Sequence, residues 1–251
     1  MYIDTHAHVN FNAFKDDADD VIERSLKENV FMINVGSQYS TSRRAVEMAK
    51  KYDGIYAAVG LHPTHIEHET WNMEQYLELA KDEKVVAIGE MGLDYYHIKE
   101  EVDQKKQKEV FLAGIKLANE TQKPMAIHCR EAYEDLLKIL KNNPVEKRGV
   151  IHCFVGGMKT AQEFIELGFK IGLNGIITYS ESYDKLIKNI DLKDILLETD
   201  CPYLTPTPRK GERNEPTYVK LVAEKIAQIK QISAEEVAEI TTQNAKTLFA
   251  L

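Results

Sequence analysis

Six side chains spread over nearly the whole chain have the chemistry to hold divalent cations: His6, His8, Glu90, His128, His152 and Asp200. In Thr5-His6-Ala7-His8 the alternation of an extended segment puts both imidazoles on one side, where they can share an ion. His128 and His152 can hold a second ion, Glu90 can bridge the pair, and Asp200 can complete the first. This mixed nitrogen and carboxylate set suits two cations of zinc, manganese or a similar divalent metal, magnesium included. Two adjacent cations would lower the pKa of a bridging water and polarise a scissile oxygen. Asp200 and Glu90 are the expected catalytic carboxylates, with Asp200 placed to orient the attacking oxygen or take its proton.

None of these residues is informative alone. A buried histidine is commonly structural, Glu90 could pair with an arginine, and Asp200 before Cys201-Pro202 could cap a turn. Their joint placement matters, and it depends on the elements that carry them. Short β-rich runs lie at Tyr2–Thr5, Phe31–Val35, Ile55–Val59, Val85–Ile88, Pro124–Ile127, Gly149–Ile151, Phe169–Leu173 and Ile195–Glu198. Most are almost continuously apolar, as parallel strands buried on both faces must be. Segments of helical period fill the gaps: Ala18–Glu28, Ser42–Lys51, Met73–Lys81, Asp103–Thr121, Glu131–Lys141, Met158–Leu167, Thr217–Gln228 and Ser233–Phe249. Ser233 followed by Glu236 has the spacing of a capping box. Pro202–Pro216 reads as an ordered loop.

This rhythm in 251 residues predicts a single-domain α/β (β/α)8 TIM barrel spanning 1–251. All six candidate ligands then fall at C-terminal strand ends, on the face where such barrels build active sites. His62, Asp94, Tyr95, Arg130 and Arg213 join them as expected substrate or phosphate contacts. Arg130 offers a bidentate fork for a phosphate, Tyr95 and Tyr96 a stacking face for a base, and Arg209, Lys210 and Arg213 a basic loop. Cys129 and Cys153 follow candidate ligands and, by alternation, are expected to point into the helix layer.

At these motifs the chain resembles the TatD family of metal-dependent deoxyribonucleases, among the amidohydrolase-like barrels. The likeness runs through Asp4-Thr5-His6-Ala7-His8, Gly60-Leu61-His62-Pro63, Gly89-Glu90-Met91-Gly92-Leu93-Asp94, Ile127-His128-Cys129-Arg130 and His152-Cys153-Phe154. It continues through Leu197-Glu198-Thr199-Asp200-Cys201-Pro202-Tyr203-Leu204 and Arg213-Asn214-Glu215-Pro216 to Asn244-Ala245-Lys246. The resemblance implies one metal on His6, His8, Glu90 and Asp200 and another on Glu90, His128 and His152. It also implies hydrolysis of DNA from 3′ ends, with DNA ends as transient partners. Two segments depart from the family pattern, Thr178-Tyr179-Ser180 and Pro208-Arg209-Lys210-Gly211-Glu212, and both lie where substrate would pass.

Composition narrows the alternatives. A net charge of −8 disfavours a high-affinity DNA-binding module, though not an enzyme whose cations supply local positive charge. No apolar run is long enough to cross a bilayer, and the N-terminus lacks the pattern of a signal peptide. Three cysteines without CxxC spacing fit a reducing cytoplasm. The expectation is a cytoplasmic monomer with no obligate partner and no membrane contact. The competing functions are a small-molecule amidohydrolase or lactonase on the same barrel and a non-catalytic metal-binding barrel.

Overall fold

The computed structural model describes residues 1–251. Eight parallel strands are hydrogen-bonded in sequence order: β1 (Tyr2–Ala7), β2 (Val30–Val35), β3 (Ile55–Val59), β4 (Val85–Asp94), β5 (Met125–Arg130), β6 (Gly149–Ile151), β7 (Lys170–Leu173) and β8 (Ile195–Leu197). The outer layer holds α1 (Ala18–Lys27), α2 (Tyr39–Lys51), α3 (Met73–Ala80), α4 (Glu101–Thr121), α5 (Tyr133–Asn142), α6 (Met158–Glu166), α7 (Asp184–Asn189), α8 (Val219–Lys230) and α9 (Ala234–Phe249). This is the α/β TIM barrel that the hydrophobic rhythm calls for. No helix is long and apolar enough to cross a membrane.

In β2, β3, β5, β6 and β8 two apolar clusters sort the strand residues by parity. Met32, Ala57, Met125, Ile127, Ile151 and Leu197 belong to the large cluster under the helices. Ile33, Val35, Ala58, Ala126, Val150 and Leu196 belong to a smaller one inside the barrel. Steps of two from the inner set lead to His128, His152 and Glu198, and one more step leads to Asp200, so the mouth continues the interior. The lower end is plugged by Ala245 and Phe249 of α9, which pack on the inner cluster. Truncating a buried phenyl ring of this kind to alanine costs about 3–5 kcal/mol. Asn244 anchors the same helix by donating to the carbonyls of Leu192 and Ile195.

The seam between β8 and β1 is joined at the mouth. Asp200 N donates to His6 O and His8 N to Cys201 O, each at 2.9 Å. Thr5 Oγ1 donates to Leu197 O at 3.0 Å. Inside the seam Asp4 is fully buried and accepts from the Thr199 hydroxyl and from the backbone N–H of Thr199 and His6. Burial pushes the Asp4 carboxyl up to about 8, against those hydrogen bonds. Closing the barrel therefore brings together residues almost 200 positions apart.

The structure departs from the sequence reading at several points. β4 runs on to Asp94, past the expected end at Ile88. Gly89 and Gly92, with φ of 150° and 155°, carry it there. A Cβ on either glycine would meet β5 backbone, 2.3 Å from Ala126 O and 1.9 Å from His128 O. The helix α7 has only six residues, too few for a periodic signal. At α9 the Ser233 side chain accepts from Glu236 N at 3.0 Å, which is one half of the expected capping box.

Candidate metal centre

His6, His8, Glu90, His128, His152 and Asp200 converge at the mouth of the barrel. The two oxygens of Glu90 face two different groups. On one side His6 Nε2 lies 3.3 Å and His8 Nε2 3.9 Å from Oε2, and Asp200 Oδ1 is 3.3 Å from His8 Nε2. On the other side His128 Nδ1 lies 2.8 Å and His152 Nε2 3.8 Å from Oε1. Asp200 Oδ1 also stands 3.4 Å from His152 Nε2. Asp200 reaches this position in a left-handed conformation, φ 59°, which an aspartate tolerates better than most residues.

Hydrogen bonds made at the far side of each ring set its tautomer. His8 Nδ1 lies 2.8 Å from the Val35 carbonyl, which can only accept, so Nδ1 carries the proton and Nε2 keeps a lone pair. Glu198 does the same for His152, with Oε2 2.9 Å from Nδ1. At His128 the roles are swapped: Nε2 donates to Asp94 Oδ2 at 3.0 Å, which leaves Nδ1 toward Glu90. His62 is the exception. Its Nδ1 accepts from Thr64 N at 3.2 Å, so its proton sits on Nε2, 3.5 Å from Glu90 Oε1. His62, Glu90 and His128 are near enough to hold an ion together, but the proton on Nε2 makes His62 a donor, not a ligand.

His6 provides the sharpest sign that a ligand belongs here. It is fully buried and neither ring nitrogen has a hydrogen-bond partner. Leaving such a group unmatched costs about 1–3 kcal/mol, and a cation at Nε2 would satisfy that nitrogen. The imidazole and carboxylate donors thus fit a divalent metal.

The charges tell the same story. Burial works against the charge on Glu90 and Asp200, yet surrounding imidazoles hold both carboxyls below the usual range: His62, His6 and His128 for Glu90, His152 and His8 for Asp200. Burial also opposes protonation of His128, but hydrogen bonds to Asp94 and Glu90 push it up to about 9. His152 is raised well above the ordinary histidine value against the same penalty, by the charges of Glu198 and Asp200. His8 is raised by its bond to Asp200, again against burial. Burial lowers His6, aided by the nearby His152. His62 is pushed down to about 4, chiefly by burial, and stays neutral. The centre demands positive charge.

An open cavity of about 570 Å³ sits above these groups, lined in part by Phe11, Ser37, Asp94, His97, Arg130 and Tyr203. Arg130 ends β5 at the rim, its guanidinium 4.5 Å from the Tyr96 ring centre. Asp94, buried, braces His128.

Two expected contacts lie elsewhere. Tyr95, one step past inward-facing Asp94, turns into the helix layer, where its hydroxyl donates to Asp135 at 2.7 Å. Tyr96 is the exposed member of the pair. Arg213 is held by Asp17 and Glu215, donates to Ala13 O, and stacks on Phe14. Arg209 pairs with Glu212, so the basic loop is largely neutralised by its own acids. Lys210 lies over the Tyr179 ring.

Cys129 lies in the helix-facing core as expected. Cys153 lines the cavity instead. β6 ends at Ile151, and Cys153 sits in a turn with φ 44°, where strand alternation no longer applies. Glu198 was not among the sequence-derived site residues. Its signal was present: it stands two positions before Asp200, directly after the apolar run Ile195–Leu197.

A parallel eight-stranded barrel with histidines grouped around one carboxylate at its C-terminal mouth defines a metal-dependent hydrolase. The family model described as TatD related DNase matches residues 3–250, and the chain belongs to that family. It is 45% identical to the uncharacterized metal-dependent hydrolase YabD of Bacillus subtilis, over 100% of both chains. It is 34% identical to the uncharacterized metal-dependent hydrolase YcfH of Escherichia coli K12, over 98% of this chain and 95% of that one. Among solved structures, the TatD homologue YjjV of E. coli K12 superposes with a TM-score of 0.92 at 31% identity, covering 100% of this chain and 98% of the other. A TatD family hydrolase from Entamoeba histolytica shares the fold, with a TM-score of 0.87 at 24% identity over 99% of this chain and 97% of that one.

Proposed function

We propose that the protein is a phosphodiesterase that removes nucleotides from DNA 3′ ends, using two divalent cations. The observation that carries this reading is the position of Glu90, whose two oxygens each face a separate group of ligand atoms. His6, His8, Asp200 and Glu90 would hold one cation, and His128, His152 and Glu90 the other. Bound there, zinc, manganese or magnesium would acidify water and polarise a phosphoryl oxygen.

The protein's own groups supply the remaining chemistry. Asp200 accepts the proton lost by the attacking water. His62, neutral and with Nε2–H directed into the centre, donates a hydrogen bond to a non-bridging phosphate oxygen. Arg130 at the rim takes the phosphate in a bidentate fork. The DNase description of the matching family points to the same substrate class.

The test uses a 3′-labelled single strand, with EDTA and metal add-back, alongside elemental analysis. Cation-loaded protein should shorten the strand, and His128→Ala should lose the activity while keeping its far-UV spectrum. Untouched DNA together with turnover of dihydropyrimidines or lactones would replace this reading with small-molecule hydrolysis. Full cation occupancy without any turnover would replace it with metal binding alone.

A further inference from the structure

Beside the cation-holding groups, the cavity wall carries a carboxylate–imidazole dyad that the steps above leave unused. Asp94 ends β4 and is fully buried. Its Oδ1 accepts from His97 N at 2.8 Å, and its Oδ2 accepts from both His97 Nδ1 at 2.8 Å and His128 Nε2 at 3.0 Å. The Asp94 backbone is fixed as well, its N–H donating to Gln107 Oε1 at 2.8 Å and its carbonyl accepting from Gln107 Nε2 at 3.1 Å. One rigid carboxylate therefore orients two imidazoles, of which only His128 belongs to the metal centre.

His97 differs from the other histidines of the centre in being open to solvent. Its side chain is 56% exposed and lines the cavity with His128 and Arg130. Nδ1 is committed to Asp94, so Nε2 is the nitrogen left to meet a substrate. The ring also lies edge-on to Tyr96, with centroids 4.8 Å apart. Arg130 and Lys99 lie over that same tyrosine. An imidazole oriented through Nδ1 by a buried carboxylate, with Nε2 unbonded on a ring that lines the cavity, is the arrangement of a proton donor and acceptor.

We infer that His97 is the general acid that protonates the leaving oxygen, an assignment that rests on the phosphodiesterase reading above. In the step, the water oxygen forms a bond to phosphorus and gives one proton to Asp200. The bond between phosphorus and the 3′-oxygen of the departing strand breaks, its electron pair going to that oxygen. The same oxygen takes the proton from His97 Nε2 and leaves as an alcohol. The nucleotide departs as a phosphomonoester, and solvent returns a proton to His97 and removes one from Asp200. No other reactant is consumed.

An alkoxide needs this proton far more than p-nitrophenolate does, and that difference supplies the test. Cation-loaded wild type and His97→Gln are compared on a thymidine dinucleotide and on thymidine 5′-p-nitrophenyl phosphate, with cation content measured for both proteins. The ratio of kcat/KM for the dinucleotide to that for the activated ester should fall about 100-fold or more in the variant, with cation content unchanged. Equal losses on both substrates, no loss on either, or a loss that follows cation content would each overturn the assignment while leaving the phosphodiesterase reading in place. A wild-type protein that cleaves neither ester would overturn that reading, and this inference with it.

Discussion

Replacing Glu198 should weaken cation binding although Glu198 is not itself placed as a ligand. The side chain is fully buried, and Oε2 accepts from His152 Nδ1 at 2.9 Å and from Cys153 N at 3.0 Å. Its first role is to keep the His152 proton on Nδ1, so that the Nε2 lone pair faces Glu90 and Asp200. Glu198→Ala removes that constraint, and the proton can move to Nε2, where it blocks ligation. Loss of a carboxylate of this kind lowers metal affinity by about 10–100-fold, or roughly 1.4–2.8 kcal/mol at 1.4 kcal/mol per tenfold. A buried donor on His152 and a partly buried one on Cys153 are also stranded, the buried one costing about 1–3 kcal/mol of stability. Glu198→Gln separates the two effects. It can keep an oxygen at the Oε2 position, and its amide nitrogen then falls where Oε1 has no partner. Chelator-competition titration with zinc or manganese, run beside thermal melts of the metal-free proteins, should rank affinity as wild type, then Glu198→Gln, then Glu198→Ala. An alanine variant that binds with wild-type affinity would refute the role given to the His152 tautomer.

Gly172 on β7 should be intolerant for a related reason. A Cβ there would lie 2.1 Å from Glu198 Oε1 and 2.4 Å from its Cδ, so Gly172→Ala must displace a side chain with no room to move. A loss of about 1–3 kcal/mol in urea melts is expected, along with weaker cation binding; an unchanged melt and full affinity would count against it. In the metal-free protein the pKa of His128 is raised to about 9 from an ordinary 6.5, and that of His152 is raised also. A raised folded-state value stabilises below the unfolded pKa, and the gain is lost as pH rises through the folded one. The melting temperature of the metal-free protein should therefore fall from about pH 6.5 to about pH 9. Over the same range cation affinity should rise, because the ligands must shed those protons. Calorimetry in buffers of different ionisation enthalpy should show proton release on binding, and proton uptake would contradict the site charges. Arg213→Ala, by contrast, should cost about 1 kcal/mol or less, because its ion pairs are partly exposed. It should leave kcat on DNA unchanged, and a large kcat effect would return Arg213 to the substrate path.

Much of this protein is legible in its residues taken in order. Apolar runs such as Ile55–Val59 and Gly149–Ile151 coincide with observed strands, and the amphipathic segments between them with helices, because burial on two faces or on one imposes a period that local sequence must obey. The ligand types were equally plain, since few side chains other than histidine and carboxylate can hold such an ion. What the order of residues left open was the partner of each side chain. The seam bond from Asp200 to His6 spans nearly the whole chain, and only closure of the sheet makes it. Closure also turns Glu198 toward His152 and fixes that tautomer, while Thr64 makes His62 a donor. It removes Arg213 and Tyr95 from the expected substrate face by giving them Asp17 and Asp135. Periodicity reports which face a residue occupies. The atom it meets there, and therefore the nitrogen that carries the proton at His8, His128 and His152, is settled by hydrogen bonds to residues distant in sequence that exist only once the barrel has formed.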